Sequence, residues 1–136
     1  MDLRCEVLGW PRAFVPGDEA GDTLHVAARD EQGRAEGVVS FMPHTYPDAP
    51  ADPAIYFWGM AVRQDRQLRG TGSMLLAYVL SRGQVAGTRF VWADARESAV
   101  PFYRKLGGTP IGSAYSDTIT GMMDRRVVFE LLRDRS

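Results

Sequence analysis

The chain has 136 residues, a formal net charge of −1, 45% hydrophobic and 24% charged residues. This length points to a single domain over residues 1–136, large enough to bury roughly two-thirds of its unfolded surface. The near-neutral charge gives no global attraction to nucleic acid or to an anionic membrane, so neither is expected as a partner.

Cys5 is the only cysteine, and His25 and His44 are the only histidines. An intrachain disulfide is excluded, a zinc site would have to lean on carboxylates, and no metal is expected. Met1-Asp2-Leu3-Arg4 lacks the apolar segment of a signal peptide. No apolar run reaches the ~20 residues of a membrane helix. The expected location is the cytoplasm.

Residues 2–8 read as a first strand, with Leu3, Cys5 and Val7 alternating against Arg4 and Glu6. Residues 9–22 carry Gly9, Pro11, Pro16, Gly17 and Gly21, which predicts a loop or at most one helical turn. Residues 23–29 form the next strand, Asp30-Glu31-Gln32-Gly33 a hairpin turn, and residues 34–42 the returning strand. Pro43, Pro47, Pro50 and Pro53 make residues 43–53 a loop outside any central ladder. Ala54–Val62 is apolar on both faces, the pattern of a covered central strand.

Gly72, Leu75, Leu76, Val79 and Leu80 recur at helical spacing, and the helix they mark stops at Gly83 or Gly87. Residues 88–93 are a strand, broken at Asp94-Ala95-Arg96. Residues 98–107 are a short helix, with Ser98 as N-cap, Pro101 in the first turn and Gly107 as the stop. Residues 109–115 and 126–132 are closing strands. The order predicts an α/β fold of the α+β type: a mixed sheet whose early hairpins are antiparallel. Ala54–Val62 and the strand at 88–93 lie parallel through a right-handed crossover.

The stretch from the Ala54–Val62 strand into the following helix carries the chemistry. Gly70-Thr71-Gly72-Ser73 opens the helix, and a glycine-rich turn there exposes backbone N–H groups at the positive end of the helix dipole, a site for phosphate. It is not a P-loop, because no Lys-Ser/Thr follows, and it lacks the G-x-G-x-x-G continuation of a dinucleotide fold.

In its wider context, Gln67-Leu68-Arg69-Gly70-Thr71-Gly72 resembles the Gln/Arg-x-x-Gly-x-Gly/Ala signature of the GNAT superfamily of acetyl-CoA-dependent N-acetyltransferases. Ala61-Val62 precedes it and Leu75-Leu76 follows it, as in that family. Ala99-Val100-Pro101-Phe102-Tyr103-Arg104-Lys105-Leu106-Gly107 resembles the family's Ala-x-x-Phe-Tyr-x-x-x-Gly helix. The resemblance implies a GNAT-like sheet of about seven strands with a splayed central pair and helices on its faces. It further implies an acetyl-CoA-dependent N-acetyltransferase acting by direct transfer to an amine acceptor. The alternative is a non-catalytic acyl-CoA-binding or regulatory module.

The resemblance also implies roles. Backbone N–H groups of Gln67, Leu68, Arg69, Gly70, Thr71, Gly72 and Ser73 would hold the pyrophosphate of coenzyme A. Met60, Ala61 and Val62 would pair with the pantetheine arm and polarise the acyl carbonyl. Arg63, Arg66 and Arg69 would meet phosphates, and Asp94, Ala99 and Phe102 would lie beside the cofactor. Tyr103 would be the general acid, a phenol of pKa ~10 that can donate at neutral pH; packing its ring in the core is the other use for it.

Candidates for the base are His44, Asp48, Asp94, Glu97, Asp117 and Asp124. Tyr56 and Trp58, with Trp10 or Phe14, are expected to line the acceptor pocket. Two departures from the family stand out. Residues 9–22 are too short and broken for the two helices that normally cover the acceptor side, so the cleft is open or a second subunit completes it, making a homodimer one expectation. The family's Asn near Asp94 or Arg96 is also missing.

Overall fold

A computed structural model describes residues 4–7, 23–63, 70–119 and 121–131. The shortened first helical region, with Trp10 and Phe14, lies outside the described residues, as do Arg66, Gln67, Leu68 and Arg69.

The strands are β1 (Arg4–Val7), β2 (Leu24–Arg29), β3 (Ala35–Pro43), β4 (Ala54–Val62), β5 (Phe90–Arg96), β6 (Thr109–Ser116) and β7 (Met123–Glu130). Helix α1 (Thr71–Val85) joins β4 to β5, and α2 (Val100–Lys105) follows β5 through a 3₁₀ turn at Glu97–Ala99. The described strands form one seven-stranded sheet in the order β1-β2-β3-β4-β5-β7-β6. β4 and β5 are parallel, and every other neighbouring pair is antiparallel. The mixed α/β sheet expected from the sequence is the fold.

Several boundaries differ from the sequence reading. Asp94-Ala95-Arg96 is not a break: these residues continue β5, opposite Arg126, Arg125 and Asp124 of β7. Pairing to a neighbour overrides their weak strand preference. Gly83 does not end α1 but sits buried inside it, where an added Cβ would lie 2.9 Å from the Leu131 side chain; Gly87 lies just beyond the helix with φ 74°. Ser98 caps nothing, since it lies in the 3₁₀ turn and α2 starts without a side-chain cap, although Pro101 and Gly107 act as expected. Pro43 ends β3 opposite Ile55 rather than standing outside the ladder.

Strand alternation sorts the side chains onto two faces. Val39, Phe41, Ile55, Phe57, Val91, Ala93, Val127 and Phe129 face one core with Leu75, Leu76 and Val79 of α1 and Val100 and Tyr103 of α2. The opposite face carries Tyr46, Ala54, Trp92 and Val128, flanked by Tyr56 and Phe90.

One residue changes this alternation within β4. Ser40 is opposite Trp58, yet Val38 is opposite Ala61, so β4 holds one extra residue in this interval. The bulge falls at Gly59, whose φ of 67° lies in the left-handed region. Before it, Tyr56 lies with the second-face cluster; after it, Met60 and Val62 pack against the helical core. A bulge is the means by which a strand redirects its side chains without leaving the sheet.

The start of α1 is seated by a second glycine. A Cβ at Gly37 of β3 would lie 2.9 Å from Leu75 Cδ1, 3.0 Å from Thr71 Cγ2 and 3.0 Å from the Ala61 carbonyl oxygen. Replacing Gly37 with Ala is expected to destabilise the fold by about 1–3 kcal/mol through overpacking, read as a lower urea midpoint at unchanged slope. Gly59→Ala is expected to cost about 1–2 kcal/mol by the same measurement, because the new Cβ meets no atom but must adopt a left-handed backbone.

Candidate active site

β4 and β5 pair at only three positions, Ala54 with Phe90, Ile55 with Val91 and Tyr56 with Trp92. Beyond these, β4 stays with β3 as far as Val62, and β5 stays with β7 as far as Arg96. The two strands diverge, and a cavity of about 320 Å³ opens between them. Phe57, Trp58, Gly59 and Met60 form one wall, and Ala93, Asp94, Ala95 and Arg96 the other. Ala99 and Tyr103 border it from the turn and α2, and Asp117 and Asp124 from the β6–β7 hairpin.

Tyr103 is 7% exposed. Its ring packs on Phe57 (5.8 Å between centroids), Phe102 (5.1 Å) and Phe129 (6.3 Å), while its hydroxyl reaches 3.8 Å from Met60 Sδ. The ring is therefore core, and the side chain also borders the cavity. Burial raises the phenol's pKa, so it keeps its proton throughout the neutral range. The contact with Met60 depends on the Gly59 bulge, which turns that methionine to the helical face.

Past its pairing with β5, β4 leads from Met60 through Ala61 and Val62 to Arg63, whose N–H donates to the Glu36 carbonyl at 2.8 Å. Gly70 precedes α1 with φ 82°, and the helix has neither a side-chain cap nor an acidic residue in its first turn. Its first N–H groups, those of Thr71, Gly72 and Ser73 among them, have no acceptor within the helix. A Cβ on Gly72 would lie 3.2 Å from the Phe102 ring and 3.8 Å from Val62 Cγ2, so Val62, Gly72 and Phe102 meet at one point. Fully buried Glu36 takes a hydrogen bond from the Thr71 hydroxyl at 3.3 Å.

The structure thus brings Met60, Asp94, Ala99 and Tyr103 to the cavity and sets Ala61, Val62, Arg63, Thr71, Gly72, Ser73 and Phe102 along the path from it to α1. Gln67, Leu68 and Arg69 lie outside the described residues. Gly59 and Glu36 were missed. Gly59 had a signal, a glycine inside an apolar strand. Glu36 had none, because a carboxylate just past a hairpin ordinarily faces water.

Of the candidate bases, Asp94, Asp117 and Asp124 border the cavity. His44 does not: its ring stacks on Trp92 (5.8 Å, 19° between planes), and its carbonyl accepts the Trp92 indole N–H. Asp48 accepts the Tyr46 hydroxyl at 3.2 Å, and Glu97 pairs with Arg125 at 3.1 Å. Tyr56 and Trp58 do border the opening, their rings stacked at 5.8 Å.

Asp94 borders a hollow with Tyr56 and Tyr115, and Arg126 Nε lies 3.8 Å from its Oδ1. Burial, then the Asp94 charge, pushes Tyr56 up to about 12 and also raises Tyr115. Asp124 is 7% exposed, with Arg96 Nη1 3.6 Å from its Oδ1. Burial raises its pKa; Arg96 opposes the shift, and Asp117 and Asp94 add to it.

A strand that has parted from its neighbour, a helix start without a side-chain cap and a cavity bordered by a phenol thus lie close together. Solved structures share this fold. An IAA acetyltransferase from Bacillus cereus superposes with a TM-score of 0.70 at 16% identity, over 96% of this chain and 100% of that one. Arabidopsis thaliana NAA60 in complex with acetyl-CoA gives 0.72 at 11% identity, over 96% and 99%. An aminoglycoside 6'-N-acetyltransferase complexed with coenzyme A gives 0.67 at 14% identity, over 85% and 76%. The family model of the acetyltransferase (GNAT) domain matches residues 20–107, a span that contains the bulged β4, the glycine turn and Tyr103; the chain belongs to the GNAT acetyltransferase family.

Proposed function

We propose that the protein transfers an acetyl group from acetyl-CoA to a primary amine by direct transfer in a ternary complex. The observation that carries this reading is the parting of β4 from β5, which opens a cavity bordered by Met60 of β4 and by Tyr103. The N–H groups of Thr71, Gly72 and Ser73, with Gly70 and the preceding Gln67, Leu68 and Arg69, would hold the pyrophosphate, and Arg63 would add charge. Backbone groups of Met60, Ala61 and Val62 would pair with the pantetheine amides as an added strand does. Phe102, Ala99 and Asp94 would flank the arm.

Acetyl-CoA, when bound, supplies the acetyl group as an activated thioester. The chain's residues have two proton movements to manage. A lysine-like amine has a pKa of ~10.4, so deprotonating it at pH 7 costs about 4–5 kcal/mol. A carboxylate at the cavity can take that proton. Tyr103, kept protonated by burial, would give a proton to the departing sulfur. A backbone N–H of β4 would stabilise the negative charge that develops on the carbonyl oxygen.

Calorimetry is expected to show acetyl-CoA binding, and absence of heat and of thermal stabilisation would overturn the cofactor assignment. Tyr103→Phe is expected to lower kcat by about a hundredfold or more in a thiol-release assay while leaving acetyl-CoA affinity nearly unchanged. Unchanged turnover would remove the acid role.

A further inference from the structure

We propose that Glu36 is a positioning residue for donor binding: its carboxyl group holds Thr71, and with it the first turn of α1, where backbone N–H groups would meet the diphosphate of coenzyme A. This rests on the donor reading above and adds to it a residue that does not border the cavity between β4 and β5.

Glutamate is among the residues least often buried whole, yet Glu36, the second residue of β3, is fully buried. The backbone explains how it gets there. Consecutive strand residues point to opposite faces, so Glu36 and Gly37 would ordinarily face different neighbours. A bulge removes that constraint. Ala28 of β2 is opposite Gly37, and Arg29 is opposite Ala35, so Glu36 is an extra residue of β3 in this interval. Both positions then meet the same side chain. The Thr71 hydroxyl donates to Glu36 Oε2 at 3.3 Å, and a Cβ on Gly37 would lie 3.0 Å from Thr71 Cγ2.

Thr71 opens α1 and is 1% exposed. With its methyl over Gly37 and its hydroxyl on Glu36, β3 sets the rotamer of a side chain that is already stiff at χ1. No side-chain cap holds the turn from its N-terminal side, where Gly70 has φ 82°. A Ser or Asp cap would hold the turn by taking one of its N–H groups. Glu36 holds it by the Thr71 hydroxyl instead, which leaves the N–H groups of Thr71, Gly72 and Ser73 for an anion.

Glu36 has a second hold on the donor path. Its carbonyl accepts the Arg63 N–H at 2.8 Å, just past Met60, Ala61 and Val62. One residue of β3 therefore sets both where the chain leaves β4 and where α1 begins. These are the stretches read above for the pantetheine arm and for the diphosphate, so the spacing between the two runs through Glu36.

The test pairs molecules that differ only in the nucleotide and its phosphates. Calorimetry compares coenzyme A with pantetheine, and the thiol-release assay compares acetyl-CoA with S-acetylpantetheine. Glu36→Leu fills the apolar space but accepts no hydrogen bond. It is expected to lower the preference for acetyl-CoA in kcat/KM by about tenfold or more, through KM rather than kcat, and to weaken coenzyme A binding by a similar factor. Glu36→Gln, whose amide oxygen still accepts the Thr71 hydroxyl, should restore the preference. Thr71→Val, which keeps the shape and removes the hydroxyl, should show the same loss, and combining it with Glu36→Leu should lose no more than the worse single variant. Should Glu36→Leu fail to fold, Thr71→Val carries the expectation.

Equal losses with both donors, or an unchanged preference, would overturn the inference and leave the transferase reading intact. So would a loss in Glu36→Gln equal to that in Glu36→Leu. The wild-type protein tests the reading beneath: if it binds coenzyme A no better than pantetheine, the diphosphate site is removed and the inference with it. Coenzyme A binding without thiol release from any amine would overturn the transferase reading, and calorimetry on the variants would then decide the role of Glu36.

Discussion

The parting of two parallel strands governs this molecule. β5 has two possible neighbours over its length, and beyond Trp92 it keeps only β7. β4 likewise keeps only β3. Each strand therefore turns an edge of backbone N–H and C=O groups toward the opening. Such groups require partners, from protein, water or ligand. A ligand with amides of its own would meet that requirement as an added strand does.

The bulge at Gly59 gives that opening its chemistry. Without the extra residue, Met60 would continue on the face of Tyr56, away from Tyr103. With it, Met60 and Val62 turn to the helices, where Val62 meets Gly72 and Phe102. The face left behind keeps the aromatic rings and the carboxylates. One left-handed residue thus separates a helical face, with its helix start and buried phenol, from a face that carries aromatic rings and ion-paired carboxylates.

Buried carboxyl groups recur at the edges of this arrangement. Glu36, fully buried, binds the Thr71 hydroxyl with its side chain and receives the Arg63 N–H at its carbonyl, so β3 holds both ends of the connector between β4 and α1. A carboxyl group in such a place costs desolvation energy and is tolerated when its hydrogen bonds organise its neighbours. Asp124 bears a similar cost at the opposite edge of the opening.

Much of this was legible in the residues. Local signals have local causes: alternation marked β1, an apolar run marked β4, the helical spacing of Leu75, Leu76, Val79 and Leu80 marked α1, and Pro101 and Gly107 bracketed α2. Two short motifs in order, around Gly70 and Tyr103, identified the family. What the sequence by itself determined was the set of elements, the helix start able to hold an anion, and the phenol. What only the tertiary structure decided was everything that depends on pairing at a distance. Asp94, Ala95 and Arg96 read as a break until β7 supplied partners for them. Asp117 and Asp124 were two of six scattered carboxyl and imidazole candidates until the hairpin brought them to the opening beside Asp94. Glu36 looked like a surface charge until α1 covered it. Propensity and periodicity report on neighbours a few residues apart, whereas register, burial and electrostatic environment are set by residues far apart in the chain.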